Sequence, residues 1–408
     1  MAGDEVGQIE GVPGAGVLET LAALVDKSLI SHGASPPPSP RGPSPVGGSR
    51  FAMLQTIRAY ALERLAARPE AAQVGARHSA YYHDLAERAA PQLIGAEQLS
   101  WVALLETELG NVRIALAWAA ANDATDGLRL AAALWHFWAE WGHLHEGSEW
   151  LEALLARSGA RTAERARALY VLGHLCNFRG ERADARRYHE ESVAIGREVG
   201  ALDAVGYALM GLGDLTAAGG DLVGVAPFLE ESLALFRQTG AVWGIAAVLN
   251  NTGNVAQLCA DHAAAEALYR ESLALFQDLG SSWNVAVQLV NLASLAFDRG
   301  AYAEARDLSM RSLTLFEELG EKHIMTYALD ILAAVAGSQG AALHAARLFG
   351  AAEALRRGIG VALQGQEEDV YRARVAAARA EVDAVAWTTA WTEGQHMRPE
   401  EAMALYND

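Results

Sequence analysis

Apolar positions between residues 162 and 358 follow a helical spacing, and that spacing is itself repeated, so that one short pattern returns every 40 residues in register. The pattern reads Glu191-Ser192-Val193, Glu231-Ser232-Leu233, Glu271-Ser272-Leu273 and Arg311-Ser312-Leu313. Each copy runs into a glycine, Gly200, Gly240, Gly280 or Gly320, where a helix ends on a residue that tolerates positive φ. A second series, Leu169, Leu209, Leu249, Leu289 and Leu329, is followed four residues later by Gly173, Gly213, Gly253, Ala293 and Ala333. Small residues there let two helices cross closely. A third series, Gly180, Gly220, Ala260, Gly300 and Gly340, closes the first helix of each unit. Each unit is thus expected to be a helical hairpin.

The rest of the chain has other periods. Residues 70–160 are helical in pattern but out of register, with Trp101, Trp135, Trp138 and Trp141 at helical spacings; on amphipathic hairpins such a stripe is expected to be core. Residues 359–408 carry Val370, Val375, Val385, Trp387 and Trp391 and read as a C-terminal helical cap. In residues 1–66 a helix runs from Leu18 into a short strand, a Pro-rich loop spans 33–49, Arg50–Leu54 reads as the returning strand, and Gln55–Ala66 reads as a helix. Helix, strand, wing, strand is half of a winged helix.

The 40-residue unit resembles the tetratricopeptide (TPR) repeat: leucine at the usual tryptophan position, Gly or Ala four on, a turn, then Ala185, Ala265, Ala305 and Ala345, with an aromatic at Tyr269 or Phe349. His189, Leu229 and Ser309 stand at the aromatic position elsewhere. The resemblance implies an all-α, right-handed α-solenoid of helical hairpins with four clear units over about 162–320 and a weaker fifth to 358. It also implies a ligand-facing concave row on the first helices. In this sequence that row comprises Arg167, Tyr170, His174 and Asn177; Tyr207, Met210, Asp214 and Ala217; Ala247, Asn250, Asn254 and Gln257; Val287, Val290, Ser294 and Phe297; and Tyr327, Asp330, Ala334 and Gly337. Asn250, Asn254 and Gln257 share one face, and carboxamides offer both donor and acceptor to a peptide backbone; hydrogen bonding from hairpin to hairpin is the alternative use.

Val25-Asp26-Lys27-Ser28-Leu29, the run Arg50 to Ala61, the stretch Arg77-His78…Tyr81-Tyr82 and Leu109-Gly110-Asn111-Val112-Arg113 resemble the bacterial STAND-class signal-transduction ATPases. In that class an NTPase module precedes a winged helix and a TPR sensor arm, often in MalT-like and LuxR-like transcriptional regulators. The resemblance implies a regulatory arm that binds a protein or peptide. It also implies that the chain begins in mid-domain, with the NTPase module supplied by missing sequence or by another chain.

Composition narrows the chemistry. Fifty acidic against 32 basic side chains give a net charge of −18 over 408 residues, which argues against nucleic acid or an anionic membrane as direct partner. The only lysines are Lys27 and Lys322, after Asp26 and Glu321, so no Gly-Lys-Ser/Thr phosphate loop exists. Two distant cysteines, Cys176 and Cys259, and the absence of a leader or an apolar run of spanning length suit a reducing cytoplasm. No nucleophile elbow or His-Glu-x-x-His occurs. His136 and Glu140 stand one turn apart near His143 and His145, which reads as a polar hairpin end rather than a metal site. The expectation is no enzyme, no cofactor and no metal, with a free-standing TPR scaffold as the alternative to a regulatory arm.

Overall fold

The computed structural model describes residues 14–33, 50–320, 322–359, 361, 363, 366–380 and 382–404. The chain divides into two bodies at Ala204/Val205. The first body opens with α1 (Gly14–Asp26), β1 (Ile30–Gly33), β2 (Arg50–Met53) and α2 (Gln55–Ala66). The strands pair antiparallel, Ile30 opposite Met53 and Gly33 opposite Arg50. The proline-rich wing, from residue 34 on, lies outside the described residues. Ile30 is buried, whereas α2 buries none of its side chains and Leu54 is 67% exposed.

Five helices follow: α3 (Ala71–Gln92), α4 (Gln98–Asn122), α5 (Ala124–Ala133), α6 (Trp135–Glu140) and α7 (Leu144–Arg157). The tryptophan stripe is core at its centre. Trp138 is fully buried against Gly147, and its indole N–H donates to the carbonyl of Ala131 at 2.8 Å, which removes the cost of burying that donor. Trp101 is buried and Trp135 and Trp141 are half-buried. The motif residues between the helices are structural: Tyr82 and Asn111 both donate to Glu108 at 2.7 Å, and Arg113 forms a two-pronged bond to Glu146.

The hairpin series runs α8 (Ala163–Phe178), α9 (Arg182–Val199), α10 (Leu202–Ala218), α11 (Ala226–Thr239), α12 (Val242–Leu258), α13 (His262–Asp278), α14 (Ser282–Asp298), α15 (Tyr302–Leu319), α16 (His323–Ser338) and α17 (Ala342–Ile359). It ends with α18 (Gln366–Arg379), α19 (Ala384–Gln395) and α20 (Pro399–Ala404). Inside each hairpin, the small residue of the first helix receives the large residue of the second. A Cβ at Gly173 would meet the His189 ring at 2.7 Å, one at Gly213 the Leu229 side chain at 2.9 Å, and one at Gly253 the Tyr269 ring at 2.6 Å. Where the first helix carries Ala293, the partner position shrinks to Ser309. The fifth hairpin pairs Ala333 with the fully buried Phe349, so the size of the pair varies from unit to unit.

The recurrent serine has a role that its sequence position did not disclose. Ser192, Ser232, Ser272 and Ser312 are fully buried, and each donates to the backbone carbonyl 26 residues earlier, of Ala166, Gly206, Ala246 and Ala286, at 2.7–2.9 Å. Each of these four hairpins is stapled within itself, and the fifth has Ala352 at the serine position.

The glycines placed at the first-helix ends adopt φ between 75° and 85° at Gly180, Gly220, Gly300 and Gly340, and Ala260 is forced to 59° at the same station. A methyl group in the left-handed region costs about 1–2 kcal/mol, offset in part by the greater freedom glycine has in the unfolded chain. Ala260→Gly is expected to raise unfolding free energy by about 0.5–1 kcal/mol, read as a higher urea midpoint with an unchanged slope.

Candidate functional site

In the first body the ligand-facing row on α8 is mostly closed. Arg167 is exposed and Asn177 half-buried, but Tyr170 and His174 are buried. Burial pushes the Tyr170 hydroxyl up to about 12. The His174 ring meets His189 edge-on at 5.0 Å and stacks with Trp135 at 5.9 Å. Tyr170 and His174 are therefore core residues of their hairpin, and the position of Tyr170 is buried at Met210, Val290 and Asp330 as well.

His189 has no hydrogen-bond partner on either ring nitrogen among the described residues. Burial, then the neighbouring His174 and Arg186, hold its pKa well below the ordinary value of 6.5. The folded imidazole is thus neutral where the unfolded one takes a proton, so this group's contribution falls as pH drops below 6.5 and is restored above it. Its share approaches about 1.4 kcal/mol per pH unit in that window. Leu229 fills the same position against Gly213 in the next unit, so His189→Leu is expected to fold and to flatten the pH dependence of stability between pH 7 and pH 5. Thermal melts across that range check it.

The histidines near the α6–α7 turn do not converge. His136 bonds Glu140 at 2.7 Å, His143 bonds Glu106 at 2.8 Å, and His145 pairs with Glu149 at 3.1 Å. Among the described residues no group of three or more His, Cys, Asp or Glu could hold a metal ion.

The second body carries the polar row. Tyr207 on α10 packs on Phe236 at 4.7 Å and Trp243 at 5.9 Å. Below it, Asn251 donates to Asp214 at 2.6 Å, Asn250 donates to Asn251 at 3.1 Å, and Gln288 and Asn291 on α14 both donate to the Asn250 carbonyl at 2.8 Å. This chain of amides links α10, α12 and α14. Hairpin-to-hairpin bonding is thus one real use of Asn250. Part of Asp214 reaches solvent, yet the protein packed around it pushes its carboxyl up to about 7.

Asn254 is exposed on the same row, and Gln257 is half-buried. The Tyr269 hydroxyl lies 2.9 Å from the oxygens of both. One phenol proton serves one amide, so the second is satisfied by turning its NH2 toward the tyrosine oxygen. Gln257 also donates to Asp298 at 3.3 Å. Sequence reading puts these residues on one register row, with Asn251 and Asn291 a little around from it, and misses Gln288 as a member of the network.

Farther along, the row is occupied by the chain itself. Arg374 of α18 donates to Ser294 at 3.0 Å, lies 3.7 Å from Asp298 and sits over the Phe297 ring at 5.0 Å. Asp330, expected to face a ligand, is buried in an ion pair with Arg356 at 2.7 Å. Tyr327 is half-buried and tilts against His323 at 5.6 Å.

Residues 285–323 match the family model described as the tetratricopeptide repeat. The fold is an all-α TPR solenoid. Over 207 residues the chain is 35% identical to proteins named as HTH-type transcriptional regulators in Mycobacterium tuberculosis (strain ATCC 25618 / H37Rv) and Mycobacterium bovis (strain ATCC BAA-935 / AF2122/97). That match takes in 48% of this chain and 22% of those relatives, so the chain spans about a fifth of their length. The TPR fold is also that of the signal transduction ATPase with numerous domains (STAND) from Pyrococcus horikoshii, which has a TPR sensor. There the TM-score is 0.52 at 14% identity, over 92% of this chain and 57% of that one. A Rap protein complexed with competence and sporulation factor superposes with a TM-score of 0.51 at 12% identity, over 78% and 85% of the two chains. At such identities the likeness is one of fold.

Proposed function

We propose that this chain is a non-catalytic TPR sensor arm of a STAND-type, MalT-like or LuxR-like regulator, working in the cytoplasm and binding a protein or peptide on the face lined by its first helices. The observation that carries the reading is the Asp214–Asn250–Asn254 row. Polar side chains rich in paired donors and acceptors stand there on a helix face where Asn254 is exposed and Asp214 reaches solvent. An extended peptide needs its N–H and C=O groups matched, and carboxamides do this without a net charge. The STAND neighbour has a TPR sensor and the Rap protein is complexed with competence and sporulation factor, which supports a binding role for this fold. Among the described residues no helix is long and apolar enough to cross a membrane.

A display library of random linear peptides, panned on the full chain, tests this. Enriched peptides are expected to lose about tenfold or more in affinity, about 1.4 kcal/mol, for the chain carrying Asn250→Ala with Asn254→Ala. Peptides that bind the variant equally, or no enrichment at all, overturn it. The regulatory half of the reading requires that the chain change ATP turnover of a STAND NTPase module mixed with it. No change in any nucleotide state favours the scaffold role instead.

A further inference from the structure

We propose that α18 is a detachable occupant of the face built by α14 and α16, and that this face docks a partner helix of the same chemistry: an arginine followed one turn later by a small residue. The proposal extends the peptide-binding reading to a different stretch of the row and does not depend on the α12 carboxamides.

The first support is position. Ser294, Phe297 and Gly337, which α18 touches through Arg374 and Ala378, stand at the register positions that line the row in α10 and α12. A Cβ at Gly337 would lie 2.5 Å from the Ala378 methyl, so the seat accepts only a small residue there. Arg374, one turn earlier on α18, reaches the Ser294 hydroxyl and Asp298.

The second support is a departure from the repeat. Phe236, Phe276 and Phe316 are fully buried at one register position, and 40 residues on the chain has Arg356. Arg356 pairs with buried Asp330, and its guanidinium lies 4.6 Å from the Tyr371 ring of α18. A phenylalanine would bury apolar area with no desolvation cost, whereas this pair needs every donor and acceptor matched. It is not matched: Asp330 Oδ1 and Arg356 Nη2, in side chains more than nine-tenths buried, have no partner among the described residues. α18 thus leaves one acceptor and one donor unused, and a partner helix bearing a polar side chain opposite them makes bonds that α18 does not.

The third support is the contrast with α19. Ala378 is the one buried side chain among those described on α18; Tyr371, half-buried, meets the Phe349 ring edge-on at 5.6 Å, and Arg374 anchors the helix through Ser294 and Asp298. α19 buries Trp387, Ala390 and Gly394 and packs backbone to backbone on α17. A helix held by few apolar contacts opens at lower free energy than its neighbours.

The probe is a fluorescein-labelled synthetic peptide with the sequence of residues 366–379. The host is the full chain, wild type or with Arg374→Ala and Ala378→Glu to free the seat. In the wild type the tethered α18 competes at an effective concentration of the order of millimolar, so the opened chain is expected to bind the probe about tenfold or more tightly than wild type. A probe with alanine in place of the arginine matching Arg374 is expected to lose that gain. An opened chain with unchanged circular dichroism and a cooperative melt that binds the probe no better than wild type overturns the proposal. Hydrogen exchange on the wild type decides independently of the variant: α18 amides are expected to exchange ahead of those of α19, and equal protection overturns it. Loss of α12-dependent peptides with intact probe binding, or the reverse, separates this proposal from the preceding one.

Discussion

Arg356→Ala is expected to lower unfolding free energy by about 3–5 kcal/mol, because it removes the cation bonded to the buried Asp330 carboxylate. Asp330 is already strained by its surroundings: burial pushes its carboxyl up to about 6 even with Arg356 beside it. The preceding unit shows what the same two positions look like without charge, since Val290 and Phe316 stand there and both are buried. Asp330→Val combined with Arg356→Phe is therefore expected to recover the loss, ending level with the wild type or up to about 1–4 kcal/mol above it. Urea denaturation of the single and double variants reads both. A double variant as unstable as Arg356→Ala would mean that the pair is worth more than its apolar counterpart, and that the repeat does not transfer between units.

Gly394→Ala should be nearly as damaging. A Cβ at Gly394 would overlap the carbonyl oxygen of Arg347, and one at Gly350 would overlap that of Trp391, so α17 and α19 cross with their backbones in contact. Neither oxygen is the tip of a flexible side chain, and relief requires moving a helix. The expected cost is about 3 kcal/mol, the upper end for overpacking. It should be accompanied by loss of the Trp391 indole bond to Glu353, now 2.8 Å, and by a change in tryptophan fluorescence. Gly358, near the end of the same α17, has nothing within 4 Å of a built Cβ. There Gly358→Ala should stabilise by about 0.5–1 kcal/mol through helix propensity alone. The two substitutions are chemically identical and differ only in what the methyl group meets.

Most of the hairpin architecture was legible in the chain because each of its determinants is local and periodic. A glycine is needed where φ turns positive, and a small residue where helices cross. Both recur every 40 residues, so Gly180, Gly220 and Gly340 could be placed without coordinates. The serine staple was visible as a recurring letter, but its acceptor is a backbone carbonyl, which leaves no mark in a sequence. The face was legible as a register, but Met210, Ala247, Val290 and Ala334 on it are buried, as are Tyr170, His174 and Asp330. His174 packs on His189 and on Tyr170, and the position of Tyr170 is buried at Met210 and Val290 as well. Asp330 turned inward because its partner, Arg356, breaks the periodic phenylalanine. Periodicity cannot foretell what an exception is for; here the one at Arg356 faces Tyr371 of α18.

The serine staples also bear on how such a chain changes length. Every one of the four bonds lies inside a single hairpin, joining a second helix to the first helix of its own unit. A 40-residue stretch copied or excised at the glycine boundaries therefore carries its own fastening with it, and the cell inherits a longer or shorter arm with no orphaned hydroxyl. What must be renegotiated at the new junction is the apolar packing between hairpins, such as Phe236 against Gly244, and the amide chain, Asp214 to Asn251 and Asn250 to Gln288 and Asn291. Gene duplication can thus revise the ligand-reading surface while leaving the load-carrying frame intact.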